Sequence, residues 1–340
     1  MSEIPAGPTL SVISLAFNQE DWIVPFLASV ETQTWCDFEF IVVDDGSTDR
    51  TAELIQAYLP RLGRRTRFIH HTKNQGAMAS VTEAFSLASG EICLKLDADG
   101  LFGPATFARV IDSFASDEQV GIVTALVKAV DRSNWIVRGA EVLCAARQRC
   151  YQVGGGYTTS AYGNCFAFRR HIFDQQEIYT RTDIDLSQLA RKRGWKIALR
   201  QDVVIQTRFP ATLAETFNWG RRRANVELDI YGRHKDMLPT AWAFWAKFIP
   251  LGLGLCAPFR PRWATAGLLG WLGIAQAWLA HVTPEYAVTD RLAGWVISLV
   301  RWVGFDLELF LMAVRAVTRR SGFAQAEQVL TSGHNLHSNV

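Results

Sequence analysis

Three short apolar runs each stop at a cluster of acidic or amide residues, and this pattern constrains the fold more than any other feature of the chain. Leu10–Ala16 (LSVISLA) stops at Phe17-Asn18-Gln19-Glu20. Phe38–Val43 (FEFIVV) stops at Asp44-Asp45-Gly46-Ser47, and Ile92–Leu96 (ICLKL) stops at Asp97-Ala98-Asp99. Between the runs lie stretches of helical type, at 20–32, 51–62 and 76–88. In the second of these Ala52, Leu54, Ile55 and Leu59 recur at helical spacing. A short strand is expected at 68–70. Strands alternating with helices predict a parallel sheet covered by helices on both faces. Ligands of such sheets sit beyond the carboxyl ends of the strands, and the polar clusters fall at those ends.

The clusters differ in how much local structure explains them. In Asp44-Asp45-Gly46-Ser47-Thr48-Asp49, a turn with Ser47, Thr48 or Asp49 capping the next helix accounts for the small polar residues. It leaves Asp44 and Asp45 at the strand end unexplained. Asn74-Gln75-Gly76 reads equally well as an ordinary helix entry. Asp97 and Asp99 alternate along a strand, so their carboxylates point to one face. Two close anions repel, and burying them unpaired is costly. A divalent cation removes both objections, because hard cations take carboxylate oxygens.

Beyond residue 100 the alternation continues. Val120–Val130 reads as a strand and Trp135–Tyr151 as a helix. Gly154-Gly155-Gly156 must be a flexible or tightly approached loop. In Thr180–Asp202, Asp183 and Asp185 stand where a helix begins, and either could cap it.

The segments SVISLAFNQE, IVVDDGSTDRT, KNQGAMASVTEAF and LKLDADG, in this order, resemble the nucleotide-sugar-binding half of family 2 glycosyltransferases. The resemblance covers roughly residues 9–230. It implies an α/β GT-A fold, a nucleoside diphosphate sugar as donor (usually a UDP-sugar), and Mg²⁺ or Mn²⁺ bound through Asp97 and Asp99. Donor-nucleotide contacts are then expected from Phe17, Asn18, Glu20, Asp44, Asp45, Asn74, Gly76 and Asp97. Family members carry Thr-Glu-Asp where this chain has Arg181-Thr182-Asp183. By resemblance Asp183 is the general base that deprotonates an acceptor hydroxyl, and transfer inverts the anomeric centre; Asp185 is the fallback. Polymer-forming members carry a Gln-x-x-Arg-Trp motif, which is not clear in FNWGRRRANVEL (217–228). Arg222 and Arg223 could still grip a diphosphate, or could face anionic lipid head groups.

The formal net charge of +2 is too small to argue for nucleic acid. Six scattered cysteines with no metal-ligand spacing fit reduced thiols in a cytosolic setting. The polar N-terminus shows no signal-peptide pattern. Seven of the twelve tryptophans lie between Trp242 and Trp302, which marks a greasier C-terminal part. Residues 1–235 are expected to form the catalytic domain, 240–320 an interfacial helix with about two membrane spans, and 321–340 a polar tail. The first apolar segment, Ala241–Pro258, would lie in the interface. Trp263–Ala280 and Ala293–Val317 would cross, with Trp263 and Trp278 as an aromatic belt. The expected enzyme sits in the cytoplasmic membrane with its catalytic domain in the cytosol. It transfers a sugar to a lipid-linked or saccharide acceptor, and self-association through the C-terminal helices is compatible with this. A polyprenyl-phosphate sugar synthase and a short-product polysaccharide synthase are the alternatives. A catalytically silent nucleotide-sugar-binding subunit is the rival from another class.

Overall fold

The computed structural model describes residues 9–63, 65–180, 182–221, 261–301 and 303. By its contacts the chain divides into two units. The first comprises the described parts of residues 1–133, 141–209 and 282–285; the second comprises 134–140 with the described parts of 210–281 and 286–340.

The first unit is built on one sheet. Its strands are β1 (Leu10–Ala16), β2 (Phe38–Asp44), β3 (Thr66–His70), β4 (Ile92–Asp97), β5 (Leu101–Phe102), β6 (Val120–Ala129), β7 (Gln152–Gly154), β8 (Tyr157–Thr158), β9 (Cys165–Arg169) and β10 (Lys196–Thr207). The spatial order is β3-β2-β1-β4-β9-β6-β10-β8-β7, with β5 paired to β10. The first four strands are parallel, Ala16 lying opposite Asp44 and Leu15 opposite Asp97. This register brings the ends of β1, β2 and β4 to one edge of the sheet, so the three polar clusters become neighbours. The expectation of a wholly parallel sheet needs correction. β9 enters between β4 and β6 and runs antiparallel to both. The sheet is therefore mixed, and β9 carries the chain back across the parallel strands.

Both faces of the parallel strands are buried, as continuous apolar runs demand. One face packs Leu10, Val12, Phe40, Leu94 and Leu96 against Phe26, Ile55 and Phe107. Those three side chains come from helices α1 (Ile23–Glu31), α2 (Thr51–Tyr58) and α4 (Thr106–Ser116). The other face packs Ile13, Ile41, Val43 and Phe166 against Phe85, Ile178 and Leu186. These belong to α3 (Ala77–Leu87), α6 (Gln175–Thr180) and α7 (Asp183–Lys192); α5 (Trp135–Tyr151) precedes the β7–β8 hairpin, whose turn is Gly155-Gly156.

In the second unit the described residues are helical at 213–221, over Pro261–Val282 and at 288–301. Trp271 packs edge-on against Trp295 at 4.7 Å between ring centres, and Arg138 pairs with Asp290 at 2.8 Å. The expectation of a membrane span at Trp263–Ala280 is not met. That run is helical, but no helix of the described residues is long and apolar enough to cross a membrane. Glycine, tryptophan and Gln276 dilute its apolar content. Ala241–Pro258 and most of Ala293–Val317 lie outside the described residues.

Candidate active site

The edge where β1 and β4 end opens onto a cavity of about 430 Å³. Its lining includes Phe17 after β1, Asp45 after β2, Asp97 at the end of β4, Ala98 and Asp99 in the turn that follows it, and Thr182 and Asp183 at the start of α7; Asp99 is therefore not on the strand with Asp97, as their alternation had implied. Apolar side chains of α3, β9, α6 and α7, among them Val81, Phe85, Phe166, Ile178 and Leu186, complete its wall. Five residues singled out from sequence, Phe17, Asp45, Asp97, Asp99 and Asp183, thus meet around one space.

Asp45 is held in place by its surroundings. One carboxylate oxygen accepts from the Gln75 amide at 2.9 Å and faces Nδ1 of His71 at 3.0 Å. The other accepts from the Gly76 amide at 3.0 Å. Burial raises the pKa of Asp45, but these bonds, with one from Ser80, outweigh it and hold the carboxyl below its ordinary range. Asp45 thereby anchors the start of α3. Gly46 makes that approach feasible: at φ +72° it adopts a conformation glycine tolerates, and a Cβ there would come within 2.5 Å of the backbone of Lys73 and Asn74. His71 also meets Glu83 at 2.8 Å. Burial works against its charge, yet Asp45 and Glu83 raise its pKa above the ordinary value.

Asp44 points elsewhere. Its carboxylate accepts from the Ser47 hydroxyl and faces His70 at 2.8 Å, and it does not line the cavity. Asn18 and Glu20 are also engaged locally. The Asn18 amide oxygen accepts from the Thr48 amide at 2.9 Å, and Glu20 accepts from the Arg50 amide at 3.2 Å. These bonds stitch the loop after β1 to the loop after β2, with Asn18 at φ 53°. Asp49, not Ser47 or Thr48, bonds the first turn of α2, accepting from the Thr51 amide at 3.0 Å. Asn74 and Gly76 do not line the cavity, whereas Ala77 and Met78, next along the chain, do. Arg222 and Arg223 lie outside the described residues.

The start of α7 separates the two candidate bases. Thr182 is the N-cap and Asp185 its partner in a capping box. The Asp185 carboxylate accepts from the Thr182 amide at 3.1 Å and from its hydroxyl at 2.8 Å, and is buried. Asp183, one residue into the helix, is half-buried and lines the cavity. Capping therefore consumes Asp185 and leaves Asp183 facing the open space. The Thr-x-x-Asp spacing was the available signal for this division.

Sequence reasoning missed two residues of the site. Lys95 lines the cavity, its Nζ 2.6 Å from Asp97 Oδ1 and 3.1 Å from the Gly163 carbonyl. Burial lowers its pKa, but the charges of Asp97, Asp183 and Asp99 outweigh this and raise it above the ordinary value. Gly163 lies against Asp183: a Cβ there would stand 3.3 Å from Asp183 Oδ2. Its signal was a glycine before the strand Cys165–Arg169.

Asp97 and Asp99 suit a divalent cation. Oδ1 of Asp99 is buried without a hydrogen-bond partner. Burial and then the charge of Asp97 push the Asp99 carboxyl up to about 6, against a bond from Thr207 and the charge of Lys95. An orphaned carboxylate oxygen beside a second carboxylate is a place where a hard cation relieves both desolvation and repulsion. Among the described residues, no group of three His, Cys, Asp or Glu side chains could hold a metal by itself. Further oxygens would come from water and a phosphorylated ligand, as Mg²⁺ commonly takes them.

Residues 11–176 match the sequence model of a family described as Glycosyl transferase family 2. Among similar proteins, an uncharacterised glycosyltransferase of Nostoc is 31% identical over 114 residues, covering 34% of this chain and 35% of that protein. A PGL/p-HBAD biosynthesis glycosyltransferase of Mycobacterium bovis is 34% identical over 119 residues, 35% of this chain and 46% of its own length. The match thus spans less than half the length of these relatives. The fold is that of a mannosyltransferase of Pyrobaculum calidifontis, solved in complex with GDP-Man and Mn²⁺. The two superpose with a TM-score of 0.57 at 21% identity over 85% of this chain and 86% of the other. This is the GT-A arrangement of a mixed sheet between helices.

Proposed function

We infer that the chain, whose residues 11–176 match the model of glycosyl transferase family 2, transfers a sugar from a nucleoside diphosphate sugar to a hydroxyl acceptor. The observation that carries this reading is the meeting of Asp97 and Asp99 with Asp183 around one cavity. A pair of carboxylates suited to a cation and a separate carboxylate free of helix capping are two different tools. The first suits a diphosphate, the second a hydroxyl.

In this reading the donor lies across the ends of β1 and β4, with Phe17 and Asp45 toward its nucleoside. Asp183 accepts the proton of the acceptor hydroxyl as that oxygen attacks the anomeric carbon, which is general-base catalysis. In-line displacement of the diphosphate inverts that centre. Asp97 and Asp99 would hold a divalent cation, which when bound would supply Lewis-acid stabilisation of charge on the diphosphate. The apolar wall from Val81, Phe85, Ile178 and Leu186 excludes water beside these charges, which strengthens their interactions. In this reading the acceptor hydroxyl belongs to a lipid-linked or saccharide molecule at the cytoplasmic membrane face. Support for that location comes from the helix Pro261–Val282, where Leu269, Ile274 and Trp278 are exposed. Exposed apolar side chains on one helix suit an interfacial position.

Two experiments test the reading. UDP- and GDP-sugars are screened with Mn²⁺ for a rise in unfolding temperature, since a ligand stabilises the state it binds. The stabilising donor is then incubated with the protein and release of the nucleoside diphosphate is measured. If no nucleotide sugar stabilises the fold and none is turned over, the reading is wrong. Co-sedimentation with anionic vesicles tests the membrane location.

A further inference from the structure

On β4, Cys93, Lys95 and Asp97 share one face of the sheet. Lys95 stands between Ile13 of β1 and Phe166 of β9 in the ladder, both of them buried. An ammonium in such a position is costly unless it is paired. Lys95 is paired at its tip, through the short contact to Asp97 Oδ1 and the bond to the Gly163 carbonyl. It is the one cation among the described residues that line the cavity. Lys95 therefore occupies a carboxylate that a divalent cation would also need. Two cations at one carboxylate repel each other, so without a further ligand Asp97 and Asp99 form a weak site, with a local net charge of about −1.

We propose that Lys95 is a positioning residue that makes loading of the divalent cation depend on the nucleotide. In the nucleotide-free protein the ammonium holds Asp97 and disfavours a second cation beside it. A nucleoside diphosphate adds anionic oxygens on the open side of the cavity, so the cation gains ligands and charge compensation. The four-carbon lysine stem is flexible. Nζ can turn away from Asp97 while keeping its bond to Gly163, on the loop that abuts Asp183. The same residue then ties the two halves of the site together. The proposal rests on the nucleoside-diphosphate-sugar reading and adds an order of binding to it.

The test needs no turnover. Free Mn²⁺ is measured by electron paramagnetic resonance in titrations of the wild-type protein, Lys95→Met and Lys95→Arg, each alone and with UDP or GDP. The wild-type protein should bind Mn²⁺ at least about tenfold more tightly with the nucleotide than without it. Lys95→Met should bind Mn²⁺ alone about tenfold more tightly than wild type, because two charges against one at close range matter even at the dielectric constant of water. Nucleotide should improve it less. Lys95→Arg keeps the charge and should stay close to wild type. Equal Mn²⁺ affinity of the wild-type protein with and without a nucleotide that binds overturns the proposal and leaves the donor reading standing. So does equal Mn²⁺ affinity of folded Lys95→Met and wild type in the absence of nucleotide. If Lys95→Met does not fold, Lys95→Gln, which also removes the charge, takes its place in the same titrations. If neither UDP nor GDP binds the wild-type protein, as judged by thermal shift, the donor reading falls and the proposal falls with it.

Discussion

Asp183 and Asp185 stand two residues apart at the start of one helix, and the proposed role of the first with the capping role of the second gives them opposite consequences on mutation. Asp183→Asn keeps size and shape. Thr182 and Asp185 make the cap, so no capping bond is lost. What is lost is one charge near a helix N-terminus, worth roughly 0.3–1 kcal/mol. The unfolding temperature should fall by a few degrees at most. Turnover should fall by roughly 10²–10⁴, the usual contribution of general acid–base catalysis. That corresponds to about 3–5 kcal/mol in the barrier. Donor affinity should survive, because a base for the acceptor is not needed to hold the donor. Asp185→Ala reverses the pattern. It removes the acceptor for the Thr182 amide and hydroxyl, both part-buried, at a cost of about 1–2 kcal/mol. Its unfolding temperature should drop by roughly 2–8 °C, while turnover at a permissive temperature stays within a few-fold of wild type. The assays are thermal unfolding, donor titration, and release of nucleoside diphosphate with and without acceptor. A fully active Asp183→Asn beside a folded but inactive Asp185→Ala would refute the reasoning. Loss of neither activity would point to an acceptor that is already an anion, such as a lipid phosphate.

Three further outcomes are expected. Asp99→Asn should abolish Mn²⁺-dependent donor binding yet raise the unfolding temperature of the metal-free protein at neutral pH. The Asp99 carboxyl, raised from 3.8 to about 6, makes the folded state hold its proton more tightly, so stability is lost as pH rises through that window. The gain from Asn should shrink on going below it, and an equal gain at all pH values would count against a buried, repelled carboxylate. His71, with its pKa raised, contributes stability that is fully present below the ordinary histidine value of about 6.5. That stability is lost as pH rises through the higher folded-state value, so the difference in unfolding temperature between wild type and His71→Gln should narrow toward alkaline pH. Gly163→Ala places a methyl 3.3 Å from Asp183 Oδ2. It should cut turnover about tenfold or more by shifting the base, with donor affinity and unfolding temperature little changed; unaltered turnover would remove Gly163 from the site.

What was legible in the sequence follows from what is local. Leu10–Ala16, Phe38–Asp44 and Ile92–Asp97 are strands because short apolar runs bounded by polar turns have few other ways to bury both faces. Trp135–Tyr151 is a helix over the range its pattern implies. The positions of Asp97, Asp99 and Asp45 at strand ends were readable for the same reason, since parallel pairing carries all such ends to one edge. Other features depend on partners far along the chain. β9 inserts antiparallel between β4 and β6, and no pattern within Cys165–Arg169 shows that its neighbours lie at Ile92–Leu96 and Ile122–Thr124. Asn18 and Glu20 carry the right residue types for a ligand, but the loop after β2 takes their hydrogen bonds. The run Trp263–Ala280 could be recognised as helical, yet composition alone overstated its ability to cross a membrane. Nothing within Ile92–Leu96 sets Lys95 apart from its neighbours on the strand. Only the approach of Gly163, 68 positions away, and the turn after β4 make it the cation of the site. The chain's local pattern dictates which elements form and which end of each is polar; the pairing of distant segments decides which of those polar groups are consumed by the fold and which are left to face the cavity.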